Sequence, residues 1–265
     1  MQSDSRHPEA GISLPDHLTE RIRVIQNAPI NATGDFVLYW MHHAVRGHDN
    51  PALDVAVALG NRYQLPVLVY QGLGGNHAHN NDRHHHFILE GARDAHDQIA
   101  ARGVRAVFHL GTDPSARSPL HALAEQAALF VVEEFPAPPF PTWTRRIIRQ
   151  CPGPAIAVDC CCVVPMHQQP RRFTRAYEFR RHNEAQFRQR IAQRWHDVVS
   201  DTPLYRGRMP FEPLDLARAD FGELCMQCSI DHSVAPVAHT RGGSTAGYAR
   251  WHRYLAEGLD GYADK

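Results

Sequence analysis

One short run of this 265-residue chain concentrates groups able to hold a ligand: Met41-His42-His43, then Arg46-Gly47-His48-Asp49-Asn50. The imidazoles of His42 and His43 can donate, accept or stack. The Arg46 guanidinium is a planar fork of donors suited to a carboxylate, a phosphate or a ring carbonyl. It can equally pair with Asp49 and only brace the loop, and loop histidines commonly face water alone. A second acidic pair, Glu133-Glu134, follows an apolar run further on. Other clusters promise less. Cys225 and Cys228 make a C-x-x-C pair, but zinc or an iron–sulfur cluster needs further ligands. Cys160-Cys161-Cys162 follows a predicted strand, where alternate side chains face opposite sides. Buried thiols acting as small hydrophobes are the simpler reading. His84-His85-His86 fan out around a helix and cannot converge on one ion. No metal site and no catalytic residue is expected. The chain lacks G-x-G-x-x-G after its first predicted strand, and it lacks the P-loop and G-x-S-x-G motifs. Readings as an NAD enzyme, a P-loop NTPase or an α/β-hydrolase lose their warrant.

The elements that must position these groups are legible. Phe36 to Met41 is apolar and aromatic, without Gly or Pro, and predicts a buried strand. Asp49-Asn50-Pro51 announces a helix: Asp49 or Asn50 can accept from the first free amides, and Pro51 fits the first turn. Leu53, Ala56, Val57 and Gly60 continue at helical spacing. The loop therefore sits at the carboxyl end of a strand, where open parallel sheets bind ligands. Further strands are predicted over Val67–Tyr70, Val107–His109, Phe130–Val132 and Ile156–Val158. Between them lie a long helix capped by Asp82 with a stripe of Ile88, Ala92, Ala95 and Ile99, a short helix from Pro119 to Ala127, and a basic helix from Trp143 to Gln150. Short apolar strands alternating with helices predict a doubly wound, five-stranded parallel sheet.

Arg171 to Val199 reads as a single helix, with Phe173, Tyr177, Phe187, Ile191, Trp195 and Val198 on one face. Eight arginines lie between Arg171 and Arg194, either contacting phosphate or, as charge runs on helices usually do, facing water. Residues 201–240 read as a linker, and Ser244 as the N-cap of a last helix striped by Tyr248, Trp251, Leu255, Leu259 and Tyr262. Hydrophobic residues make up 43% of the chain, enough for a full core, and Lys+Arg and Asp+Glu balance at 28 each. That neutrality does not advertise a nucleic-acid partner. Residues 1–20 are polar and predicted disordered, with no signal-peptide apolar region. No run approaches the roughly 18 apolar residues of a membrane span, and the cysteine usage suits a reducing cytoplasm.

Tyr39-Trp40-Met41 followed by Arg46-Gly47-His48-Asp49-Asn50-Pro51-Ala52-Leu53 resembles the opening strand and loop of DNA photolyases and cryptochromes. The Tyr-Trp-Met ending looks more like the class II deoxyribodipyrimidine photolyases. Arg83 to Gly91 is similar to the family's Arg-x-x-Phe helix, and Val158-Asp159 with Val163-Val164-Pro165 to its Val-Asp…Val-Val-Pro strand exit. Cys161 and Cys162 stand where His-Asn is usual in class II, which puts that pair's role in doubt. The resemblance implies strand order 3-2-1-4-5, with residues 21–166 as the antenna-type Rossmann-like domain, 167–241 as a helical or irregular linker, and 242–265 as the first helix of an incomplete flavin domain. It covers nearly the whole chain but only the N-terminal half of the family's protein.

What the resemblance implies for function is light-driven DNA repair, the reversal of pyrimidine dimers in damaged DNA. A deazaflavin, folate or flavin antenna chromophore passes excitation to FAD in the helical domain. With that strand order the crevice lies beyond the first and fourth strands, lined by Met41, His42, Arg46, Asp49, Glu133 and Glu134, while Tyr262 contacts FAD by position. The chain alone is expected to bind no FAD. Its other half is expected in a second polypeptide, or else the gene is a truncated relic. The alternative is a non-catalytic cryptochrome-like sensor, or a module binding a nucleotide-like small ligand. No membrane partner is expected.

Overall fold

The computed structural model describes residues 14–75, 77, 79–113 and 115–262. Its strands are β1 (Ile22–Gln26), β2 (Val37–Trp40), β3 (Val67–Gly74), β4 (Arg105–Gly111), β5 (Leu129–Glu133) and β6 (Ala155–Val158). They lie in the order β1-β6-β5-β2-β3-β4. β2 sits between β3 and β5 and is parallel to both, β4 is parallel to β3, and β6 to β5. β1 joins β6 antiparallel, with Ile22 opposite Val158. The expectation of five strands, all parallel, is therefore corrected: the sheet has six strands and is mixed. The missed strand is short and largely half-exposed. Its partner lies far along the chain, so no local pattern marks it.

Burial on both faces explains why β2 reads as an unbroken apolar run: all four of its residues are buried. Val37, Tyr39, Val67, Val69, Leu129, Val131, Ile156 and Val158 face one core, shared with α1 (Asp16–Thr19), α2 (Pro51–Tyr63) and the C-terminal end of α3 (Asp82–Ala101). Phe36, Leu38, Trp40, Leu68, Tyr70, Phe130 and Val132 face the other, under α4 (Leu120–Gln126) and α5 (Phe140–Ile148). Of the stretch expected to be disordered, residues 1–13 lie outside the described residues. Residues 16–19 form α1, whose Leu18 is fully buried. The caps are Asn50 for α2 and Asn81, rather than Asp82, for α3.

The single helix expected over 171–199 is corrected to α6 (Ala176–Ile191). The next residues leave helical geometry because the core claims them. Trp195 and Val198 pack on the first core. The fully buried Asp54 carboxylate accepts from Trp195 Nε1 at 2.7 Å, from the Val198 amide at 2.9 Å and from Arg102. The chain then straps around the edge of the sheet. Tyr205, Met209 and Phe211 reach the second core. Leu216 and α7 (Phe221–Met226), with Cys225, close over Leu89, Ala92 and Phe108.

Last comes α8 (Ser244–Glu257), with no buried residue. Its N-cap position belongs to Gly243 at φ +101°, not to Ser244. A Cβ on Gly242 would sit 2.0 Å from the Phe87 carbonyl oxygen, and one on Gly243 2.8 Å from the Asp94 carboxylate. The Gly-Gly pair is what lets this turn touch α3. The helix ends before Leu259 and Tyr262. No helix among the described residues is long and apolar enough to cross a membrane.

Two outcomes follow. Asp54→Ala should destabilise the protein by about 3–5 kcal/mol, because it strands the buried Arg102 charge and frees the strap; urea midpoints of the variant and the parent check this. Burial also pushes the His96 imidazole down to about 4 from its ordinary 6.5, and lowers those of His42, His85 and His109. The unfolded chain takes up protons that these native imidazoles refuse. Stability is therefore complete above about pH 6.5 and falls as pH drops toward about 4. His167, raised by its hydrogen bond to Glu134, works in the opposite sense and loses its contribution as pH rises. Urea melts at about pH 7.5 and pH 5 should show the decline, and His96→Leu should blunt it.

Candidate functional site

The loop leaving β2 is organised by two buried side chains, Asn50 and Glu133. Asn50 Oδ1 accepts from the Ala52 and Leu53 amides at 3.1 Å, capping α2. Its amide nitrogen donates to the Ala44 carbonyl at 3.0 Å and the Arg46 carbonyl at 2.9 Å. Glu133, at the end of β5, accepts from the Tyr39 hydroxyl at 2.5 Å and from the His43 and Ala44 amides at 2.5 and 3.0 Å. The Tyr39 hydroxyl sits beside that carboxylate in full burial, which drives its pKa far above the usual value. One carboxylate thus joins the two strands at which the winding reverses.

Arg46 is spent inside this loop. Its Nε and Nη2 donate to the Asp49 backbone carbonyl at 3.1 and 2.9 Å, which is turned inward because Asp49 adopts φ +47°. Gly47 allows the loop to lie on α3: a Cβ there would be 2.5 Å from Cβ of Gln98. Gln98 Oε1 accepts from the Gly47 amide at 2.9 Å. The Asp49 amide donates to Asp197 of the strap at 2.9 Å.

Above the strand ends stands a ladder of rings. His42 lies 4.7 Å from Trp40 and stacks on Phe140 at 4.7 Å and 17°. Phe140 meets Trp143 at 5.4 Å and Phe135 at 5.1 Å, and Phe135 meets His43 at 4.4 Å. The His42 side chain is only 7% exposed, and Glu133 Oε2 is 3.6 Å from its Nδ1. Neither ring nitrogen has a hydrogen-bond partner among the described residues. Burial lowers its pKa, with Glu133 opposing. The imidazole is thus a neutral plate with idle polar atoms, and Trp143 and His43 are exposed at either end of the ladder. Such a surface can stack a flat heterocycle.

The expected lining residues divide. His42, Arg46, Asp49 and Glu133 do converge at this loop. Met41 is fully buried in the sheet core. Glu134 points to the other side, bonded to Arg23 at 2.6 Å and His167 at 2.5 Å, because neighbours on a strand face opposite ways. Tyr262 stands 72% exposed beyond the end of α8, with Tyr254 as its ring neighbour at 6.4 Å. The sequence reading missed Phe135, Phe140 and Trp143, although three aromatics around the Pro-rich stretch 136–141 were visible. The cysteines are all free, and among the described residues no group of three or more His, Cys, Asp or Glu is placed to hold a metal.

Glu133→Ala should cost about 3 kcal/mol or more, since several buried donors lose one acceptor. Glu134→Ala, which breaks more exposed pairs, should cost about 1 kcal/mol or less. Thermal melts of the two variants side by side check the contrast.

The DNA photolyase family model matches residues 37–194, more than half of the chain. A deoxyribodipyrimidine photo-lyase of Methanothermobacter thermautotrophicus is 25% identical over 242 residues, covering 91% of this chain and 52% of that protein. One of Arabidopsis thaliana is 31% identical over 159 residues, covering 55% and 30%. The chain thus spans about half, or less, of the length of these curated relatives. Among solved structures, a cryptochrome of Synechocystis matches with a TM-score of 0.62 at 14% identity, covering 89% of this chain and 49% of that one. An archaeal photolyase of Sulfolobus tokodaii, described with two FAD molecules and a novel light-harvesting cofactor, matches at 0.55 and 12% identity, covering 82% and 46%. These last two show the fold alone. With the strand–loop–helix signature inside the matched region, the chain belongs to the DNA photolyase family.

Proposed function

We propose that this chain is the antenna-type α/β part of a photolyase or cryptochrome, of the class II kind, and that it holds a flat light-harvesting chromophore at the end of β2. The observation that carries the reading is the ring ladder at the strand ends, in which His42 stacks on Phe140 at 17° and Phe140 meets Phe135 and Trp143. A deazaflavin, folate or flavin offers a ring face that the exposed Trp143 and His43 at the ends of the ladder can stack on. When bound, such a pigment absorbs light and passes on the excitation. The chain's own task is to present His43, Phe135, Phe140 and Trp143 as the stacking wall, and to keep the loop fixed through Glu133 and Asn50. Arg46 and Asp49 then serve to brace that loop rather than to contact pigment first.

In this reading residues 21–166 are the α/β domain, 167–241 the helical or irregular linker that contains α6 and the strap, and 242–265 the start of a helical flavin domain. Pyrimidine-dimer reversal in damaged DNA belongs to the assembled protein. The apolar stripe of α8 is exposed along its described length, and Tyr262 alone cannot make a pocket for a dinucleotide. FAD binding is therefore assigned to further helical structure packed on α8, whether in the same polypeptide or in a separate one. A reducing cytoplasm suits the free thiols.

Purified protein titrated with a deazaflavin, a reduced folate and FMN, followed by absorption above the protein band, tests the antenna assignment. One of the three should bind saturably. Trp143→Ala, at an exposed position that leaves the core intact, should weaken that binding about tenfold, the loss of one stacking ring with its buried area. If all three pigments fail to bind, or if Trp143→Ala and Phe140→Ala both leave binding unchanged, the assignment is wrong.

A further inference from the structure

A cavity lies away from the ring ladder, at the β4 edge of the sheet. It is formed by α3, by the first residues of edge strand β4, and by two arms of the strap, 204–206 and 214–217; its volume is about 720 Å³. Cavities of roughly 300–1,000 Å³ hold ligands the size of a nucleotide or a drug. Val104 and Leu216 give it an apolar wall, at 2% and 4% exposure.

Its polar equipment is uneven. His96 lines the cavity with its ring edge-on to Phe108 at 6.2 Å, and its buried Nε2 has no partner among the described residues. Burial holds that imidazole neutral, at about 4. Natural interiors rarely leave such an atom idle, and either solvent or a ligand in the cavity can supply the partner.

Three arginines share the cavity with two carboxylates. Arg105 is committed, donating to the Tyr205 and Gly207 carbonyls at 3.1 Å each. Asp215 is engaged by Arg218 at 3.6 Å. Asp97 stands exposed at the rim. Arg93 lies over the Phe221 ring at 4.7 Å, which occupies its face and leaves its in-plane donors to a ligand. Arg206 is exposed. Neither has an ion pair with a described residue.

We propose that this cavity binds a mononucleotide, with its base against Val104 and Leu216, a ring nitrogen or exocyclic group on His96 Nε2, and its phosphate between Arg93 and Arg206. The apolar wall, the His96 nitrogen and the Arg93 and Arg206 guanidinium groups match that order of base and phosphate. Occupancy would tie both arms of the strap to α3 and β4. The site shares no lining residue with the ring ladder, so it stands or falls separately from the antenna assignment.

Calorimetric titration of the whole chain with AMP, GMP, UMP and inorganic phosphate tests the proposal. At least one mononucleotide should bind saturably, at about micromolar strength. Arg206→Ala, at an exposed position, should weaken it about tenfold by removing a charged hydrogen bond. His96→Leu should weaken binding while leaving thermal stability unchanged or raised, because it deletes an orphaned polar atom. A merely structural histidine would not give that split. Trp143→Ala should leave nucleotide affinity unchanged. Absence of saturable binding by every mononucleotide overturns the proposal. So does phosphate binding as tightly as the nucleotides, or full affinity retained in both Arg206→Ala and His96→Leu.

Discussion

The Glu133 carboxylate is the constraint on which the rest of this molecule turns. It ends β5, yet it is saturated by a hydroxyl from β2 and by two amides of the loop that follows β2. A buried carboxylate is tolerated only when its lone pairs are occupied. The loop must therefore close over it in one conformation, and that conformation brings Asn50 to the mouth of α2 and lifts His42 onto Phe140. Asn50 completes the lock by bonding back to the Ala44 and Arg46 carbonyls. The rings above the strand ends are held at fixed spacing because the polar layer beneath them has no freedom.

How much of this was legible depended on distance along the chain. Asn50-Pro51 could be recognised because cap and helix are adjacent, and β2, β3, β5 and β6 because burial on both faces leaves an apolar run in each, while edge strand β4 keeps a shorter one around the buried Val107 and Phe108. β1 could not, since its pairing with β6 joins residues more than a hundred positions apart and its own burial is partial. Glu133 and Glu134 looked like one acidic pair. The pleat separates them, so one closes the site loop while the other pairs with Arg23 and His167. Arg46 has the chemistry of a ligand contact, but a left-handed Asp49 presents it with a carbonyl three residues away. That outcome depends on a backbone angle no residue type announces for Asp. The ring ladder was missed for a related reason: its aromatics come from three separate segments, and only the folded sheet stacks them.

The strap shows tertiary contacts overriding local helical preference. Residues 192–200 continue the composition of α6, but Trp195 finds Asp54, and Asp54 also holds Arg102 at the C-cap of α3. Satisfying a buried carboxylate outweighs another turn of exposed helix, whose propagation is worth little. Asp197, beside Arg102 at 3.7 Å, accepts from the Asp49 amide of the site loop. A contiguous polar path therefore runs from the strap, through α2 and α3, to the loop at the end of β2. Both candidate ligand positions border elements on this path.

The opposite balance governs α8. Its N-terminal end is well tethered: Glu90 accepts from the Gly242 amide at 2.7 Å, Asp94 from the Thr245 amide at 2.8 Å, and Tyr248 reaches His48 at 2.9 Å. Beyond that end Trp251 and Leu255 are 51% and 43% exposed. Burying a side chain of this kind contributes about 1.5–3 kcal/mol, and an isolated helix of 14 residues is marginal without packing. Contacts confined to one end fix where the helix starts and in which direction it leaves, while supplying none of the burial its apolar stripe is built for. Such a helix is pre-aimed rather than finished. In the antenna-part reading, the flavin domain would meet a face already oriented by Asp94 and His48. Docking would then gain the apolar burial without first having to order the helix.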